Sequence, residues 1–230
     1  MNLQETVIAK NVIDSLKNHI VIRKELLSAE EQIVRKYILN FYYEHSRFPL
    51  FIEISDELSI TMQNLNVAIG NLDKYDAIKL DHSGCRILLA YPFCEDITDY
   101  KICVEKEVNK PRCYYANCAI DSLGIPFMFK CDANISAKTA FFKNKIEISV
   151  IDQDTAISNP KDVIVFASAN YCSKSADSVC SSLVFFSGMD EFNLWKRDQG
   201  VAEAGEILSL NEALYVSKIL FQNRLNDKEV

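Results

Sequence analysis

Histidine is scarce in this 230-residue chain: there are three, and none lies beyond residue 82. A cysteine–histidine nucleophile pair within the C-terminal part is therefore excluded, because the base would have to be borrowed from the N-terminal third. No Cys-x-x-Cys pair occurs either, so the ligand spacing of a preformed zinc finger is missing. No apolar run approaches the roughly 20 residues that span a bilayer. The first residues place Glu5 and Lys10 among apolar positions, which is not the pattern of a secretory signal. These absences lead to the expectation of a cytoplasmic protein without membrane attachment. An excess of basic charge is also lacking: 25 Lys and Arg face 32 Asp and Glu, a net charge of −7, so there is no bulk attraction for nucleic acid.

What is present is an apolar fraction of 49%, enough for one large or two small domains with a sizeable core. Eight cysteines stand at 85, 94, 103, 113, 118, 131, 172 and 180. Without secretory context, reduced thiols are the expectation. Residues 4–26 carry apolar side chains in helical rhythm (Val7, Ile8, Val12, Ile13, Leu16, Ile20, Val21) and read as an amphipathic helix that breaks near Asn18. Ser28 and Glu31 form a capping box opening a second helix, ended by Arg47-Phe48-Pro49. A short helix over 52–58, a helix capped by Thr61 and running to Lys74, and a hairpin turned at His82-Ser83-Gly84 follow. Three helices and a hairpin are the order of a winged helix. The third helix offers only Lys74 as a cation, beside Asp73 and Asp76, so DNA binding is not expected.

Within Arg112 to Pro126, Cys118 and Asp121 lie three residues apart in a stretch that reads as a short helix stopped by Gly124 and Pro126. Residues at i and i+3 share a helical face, so thiol and carboxyl can address one small object. In a first turn, the unsatisfied N–H groups would favour the thiolate. Such spacing is also common by chance, and a buried cysteine is ordinarily apolar filler. Downstream, 99–111 reads as a connecting strand or loop. Short β-prone runs follow at 127–130, 138–142, 146–151, 163–167 and 182–186, with turns at Asn134, Asn144-Lys145 and Ser158-Asn159-Pro160. A helix opens at Asp190, and Ser209 with Glu212 caps a last amphipathic helix. The order is that of an α+β arrangement with helices flanking a sheet.

The run Tyr115-Ala116-Asn117-Cys118-Ala119-Ile120-Asp121-Ser122-Leu123, followed by Pro126, resembles the first catalytic motif of organomercurial (alkylmercury) lyases, a Cys-Ala-hydrophobic-Asp sequence ahead of a proline. Cys180 with Phe185-Phe186 resembles their second catalytic cysteine, and Phe192, Trp195 and Gly200 continue the similarity. The resemblance extends over residues 76–222. It implies an α+β fold: an N-terminal winged-helix-like helical domain (28–95) followed by a catalytic domain with a mixed or antiparallel sheet flanked by helices (96–230). Residues 1–27 form an added helical extension that either covers the active site or packs on a second subunit, as in a homodimer.

The activity implied is carbon–mercury protonolysis, giving a hydrocarbon and thiolate-bound Hg(II). Cys118, Asp121 and Cys180 would be both the catalytic residues and the mercury ligands. No cofactor would be required, and an external thiol, cytosolic or presented by a mercuric reductase, would accept the metal. Soft thiolates suit a soft metal, and a carboxyl beside them can shuttle the proton. Two departures stand out: Asn117 where family members often carry Trp, and Ser181-Ser182-Leu183 where a further cysteine and a histidine are common. Cys131 resembles a structural cysteine of the family, and packing is the reading for Cys85, Cys94, Cys103, Cys113 and Cys172. The alternative function is a non-catalytic thiol-based binding or transfer protein for mercury or another soft metal.

Overall fold

The computed structural model describes residues 3–17, 26–107, 110–168, 180–198 and 204–225, the side chains of 105–107 and 110 excepted. Gly200, Cys172 and the expected break near Asn18 lie outside them.

The described chain is α+β. Helix α1 (Val7–Lys17) precedes three helices, α2 (Ala29–His45), α3 (Phe51–Leu58) and α4 (Met62–Lys74). The predicted starts are present: Ser28 Oγ accepts from Glu31 N at 3.2 Å while Glu31 Oε2 accepts from Ser28 N at 2.7 Å, and Thr61 Oγ1 accepts from Asn64 N. Strands β1 (Ile78–Leu80) and β2 (Ile87–Ala90) form the expected hairpin, with Gly84 supplying positive φ in its turn. Then come β3 (Phe93–Cys94), β4 (Tyr100–Glu107), β5 (Lys110–Ala116), α5 (Ala119–Phe129), β6 (Ala133–Lys138), β7 (Lys145–Ile151), β8 (Thr155–Asn159) and β9 (Ile164–Ser168). The chain closes with β10 (Leu183–Phe186), α6 (Met189–Asp198), β11 (Gly205–Ser209) and α7 (Leu210–Phe221).

Eight strands make one sheet in the order β1-β2-β3-β5-β4-β6-β7-β8, and β10-β9-β11 make a second of three strands. Every pairing described is antiparallel. The large sheet is continuous across residue 95. Aromatic side chains fasten α2 to it and to α5: the Tyr42 ring stacks on Phe93 of the sheet at 4.7 Å, the Tyr114 hydroxyl of the sheet donates to the Tyr43 carbonyl at 2.6 Å, and Tyr43 stacks on Phe129 of α5 at 3.8 Å. A second cluster of Phe166, Phe186 and Phe192, with Trp195 against it, seats α6 on the small sheet. On α1, Ala9, Val12, Ile13 and Leu16 are buried against α7 and β11, and Thr6 donates to Glu212 at 2.7 Å. Val7 and Ile8, expected on that stripe, face outward.

Helix α5 is the axis of the fold. All its residues from Ala119 to Met128 are buried. Its contacts are α7 on one side and β4, β5, β6 and β10 on the others. Such a helix has no solvent face, which is why its apolar pattern carries no 3.6-residue period. It also corrects the sequence reading at both ends. Arg112–Ala116 is strand, and Gly124 and Pro126 do not stop the helix. It runs through the predicted strand at 127–130 to Lys130, whose left-handed backbone (φ 53°) ends it. Gly124 is there for space, since a Cβ would lie 2.2 Å from the Phe221 ring. Burial on all sides outweighs the weak local preference against Gly and Pro. Elsewhere Asn134 sits inside β6 rather than in a turn, β6 ends at Lys138 where a strand was expected to begin, and 99–111 is mostly the β4–β5 hairpin. Strands β8 and β11 had not been anticipated.

The expectation of reduced thiols fails for two residues: Cys103 and Cys113 form a disulfide. They are direct partners in the β4–β5 register, with Cα atoms 4.1 Å apart, within bonding reach of one another across an antiparallel pair. Cys85 is exposed rather than packed, Cys94 is buried as expected, and Cys131 is half-buried against the main core.

Candidate active site

The turn from β5 into α5 fixes the first thiol. Cys118 is the N-cap of α5, with extended backbone (φ −149°, ψ 177°), and its Sγ accepts from the Asp121 amide at 3.3 Å. Capping by sulfur in place of the usual hydroxyl or carboxylate ties the thiol to the first turn, and the i, i+3 relation then brings the Asp121 carboxyl to the same side. Cys180 arrives from the other direction, just ahead of β10. Its thiol donates to Asp121 Oδ2 at 3.4 Å. One ligand atom from each of Cys118, Asp121 and Cys180 lies within 4.8 Å of the other two, and this is the group of potential metal ligands found among the described residues. The three residues proposed from sequence are thus brought together, although the chain between the two cysteines includes four strands of the large and small sheets.

Burial governs the electrostatics. Cys118, Asp121 and Cys180 are 0%, 1% and 2% exposed. Desolvation pushes the Cys118 thiol up to about 11, with the neighbouring Cys180 thiol opposing and the Asp121 charge adding. The helix N-terminus, expected to favour a thiolate, loses to burial. Cys180 is raised well above the ordinary thiol value, first by its interaction with Cys118 and then by burial. Asp121 is raised by desolvation to about 7, although both thiols pull it down. At neutral pH the resting site holds two neutral thiols around a carboxyl that burial holds back from ionising, suited to exchanging protons with its neighbours.

Sequence reasoning missed the surroundings. Tyr91 and Tyr100 are buried, and their phenols are raised by burial and then by the charges of Cys180, Cys118 and Asp121. Nothing in their local sequence marks them; only the sheet brings them beside α5. Asn117 has its Nδ2 buried without a bonded partner, close enough to Cys180 to favour that thiolate. The Ser217 hydroxyl donates into the Ile120 carbonyl at 3.0 Å and the Ala213 carbonyl at 2.9 Å, so α7 is held beside Asp121. A surface cleft of about 880 Å³, lined by Ser158, Asp162, Met189 and Asn211 among others, shares no residue with the thiol–carboxyl cluster.

The family model for alkylmercury lyase matches residues 97–222. The chain belongs to the alkylmercury lyase family. It is accordingly an enzyme of the alkylmercury lyase class, and the matched span contains Cys118, Asp121 and Cys180. Among solved structures, the mercury-bound form of MerB2 is similar, with a TM-score of 0.75 and 18% identity, covering 96% of this chain and 100% of that one. At that identity the likeness speaks for the fold, which is α+β in both. No curated protein matches the sequence. No helix among the described residues is long and apolar enough to cross a membrane.

Proposed function

We propose that this alkylmercury lyase cleaves the carbon–mercury bond by protonolysis, with Cys118 and Cys180 as mercury ligands and Asp121 as the proton carrier. The supporting observation is the convergence of two buried thiols and one buried carboxyl within 4.8 Å. An organomercurial enters as R–Hg–X, with X a thiolate from solution. One cysteine displaces X, and its proton leaves with X as a free thiol. The second thiol then binds mercury and passes its proton to the Asp121 carboxylate, the group already accepting from Cys180. Metal coordination is what removes a proton from a thiol that burial otherwise keeps protonated. Two soft thiolates load negative charge onto mercury and through it onto the attached carbon. Asp121, now neutral, delivers its proton to that carbon, the carbon–mercury bond breaks, and R–H leaves. Asp121 returns to a carboxylate, and Hg(II) remains on Cys118 and Cys180 until external thiols remove it.

Every atom in this sequence comes from the substrate, the three side chains or solution thiol, so no resident cofactor enters. The acceptors in this reading are cytosolic thiols or the thiols of a mercuric reductase. Helices α2–α4 with the β1–β2 hairpin act as a winged-helix-like scaffold (28–95) for the catalytic part (96–230). Helix α1 extends it and braces α7, and DNA binding is not part of the function. The test is product analysis: purified protein with phenylmercury and excess thiol should release benzene, and Cys118→Ala and Cys180→Ala should each abolish release. Mercury retention without benzene would instead assign a binding or transfer role.

A further inference from the structure

Two arginines that the reaction does not use are buried in the interior. Arg35, on α2, is 4% exposed, and its Nε and Nη2 are both buried without a hydrogen-bond partner. Those two atoms form one edge of the guanidinium, the pair of parallel N–H groups that matches two oxygens of one oxyanion. Arg224, one turn beyond α7, donates Nε to the Leu220 carbonyl at 2.6 Å and leaves Nη1 buried without a partner. Burial lowers Arg35 to about 9, with the charge of Arg224 adding to the effect, and burial lowers Arg224 to about 10 against the opposing charge of Asp121.

The acids that might neutralise them are engaged elsewhere. Glu31, four residues before Arg35 on the same helix, has Oε1 taken by Asn71 Nδ2 at 2.6 Å and Oε2 by the Ser28 amide at 2.7 Å. Asp121, whose charge favours that of Arg224, accepts from Cys180. Neither arginine forms a salt bridge with a described residue. For Arg35, a charge taken out of water with no acid paired to it and the like charge of Arg224 acting on it is strongly unfavourable, and its unused pair of donors indicates what would relieve it.

We propose that the free edge of Arg35 is a binding site for a small oxyanion, with the charge of Arg224 adding to its attraction. The fork geometry selects an anion with two oxygens to present together, either a free inorganic ion such as phosphate or sulfate or the carboxylate of a small organic acid. A spherical halide satisfies the charge but not the paired donors. The proposal is independent of the mercury chemistry, since it rests on neither cysteine.

The test uses the intact chain in a fixed chloride background. Inorganic phosphate, sulfate and acetate are titrated separately by calorimetry, with thermal unfolding followed in parallel and released anions measured after denaturation. Saturable binding of a single equivalent per chain, or a single oxyanion equivalent released on unfolding, is the expected result. Preference for phosphate and sulfate over acetate assigns the inorganic source, and the reverse assigns the carboxylate. Arg35→Lys keeps the charge, removes the fork and should weaken binding at least about tenfold. Arg35→Met should abolish binding and, without oxyanion, unfold at a higher temperature than the wild type because an uncompensated charge has gone. If Arg35→Met does not fold, Arg224→Met takes its place, with loss of the second positive charge expected to weaken binding. No saturable binding and no released oxyanion in the wild type, equal binding by Arg35→Lys, or chloride as effective as phosphate would each overturn the proposal.

Discussion

Replacing Asp121 by Asn tests the electrostatics of the site without reference to mercury. The carboxyl has an ordinary value of 3.8 and is raised by burial to about 7 in the folded chain. An acid raised on folding binds more protons folded than unfolded between those two values, so its contribution to stability falls as pH rises from about 4 to about 7 and is level above that. About three pH units at 1.36 kcal/mol each give roughly 4 kcal/mol, an appreciable share of a domain's stability. Asn has the same shape and cannot ionise, so Asp121→Asn lacks this slope. Urea denaturation of wild type and variant at about pH 4.5 and pH 8 isolates it, because the other carboxylates cancel in the difference. Starting at pH 4.5, the assay covers most of that window, and the variant should gain on the wild type by roughly 3 kcal/mol between the two pH values. A difference that stays constant within about 1 kcal/mol would refute the claim that Asp121 is held against its charge by burial.

Three other perturbations follow from the packing. Gly124→Ala drives a Cβ to 2.2 Å from the Phe221 ring; overpacking of about 1–3 kcal/mol exceeds the roughly 1 kcal/mol of helix propensity gained, so chemical denaturation should show a net loss. Cys103→Ser opens a disulfide whose partners are separated by 10 residues. The loop-entropy relation gives about 3 kcal/mol of lost stability, and reductant should lower the wild type but not the variant. Ser209→Ala removes the cap on Glu212 N and the hydroxyl's bond to the Glu212 carboxylate, while the backbone N–H bond to that carboxylate remains; this should cost about 1 kcal/mol and lower the melting temperature by about 2–4 °C.

The sequence was most legible where local chemistry decides local structure. The Ser28–Glu31 and Ser209–Glu212 boxes, the Thr61 cap and the Gly84 turn depend on neighbours a few residues away, and all are found. It was least legible around α5, because a helix buried on every side takes its stability from α7 and the sheet rather than from its own residues; Gly124 and Pro126 read as stops only when Phe221 and the strands are out of view. The Cys103–Cys113 bond was hidden for a related reason: 99–111 was read as a connection, so no register placed the two cysteines opposite each other. Of the site, Cys118 and Asp121 share a turn and could be paired from spacing, whereas Cys180 entered only through its resemblance to a family motif. Tyr91, Tyr100 and the buried arginines depend on contacts between distant segments, and no local pattern marks them.

The central claim is that Asp121 carries the proton to carbon while two thiolates hold the metal. Its most direct test is a single turnover of phenylmercury by wild type and Asp121→Asn in D₂O, with benzene and protein-bound mercury measured together. The account predicts monodeuterated benzene and one retained Hg(II) from the wild type, and from the variant phenylmercury bound by its thiols with benzene release slowed by about 10²–10⁴. Benzene release from Asp121→Asn at the wild-type rate would contradict it.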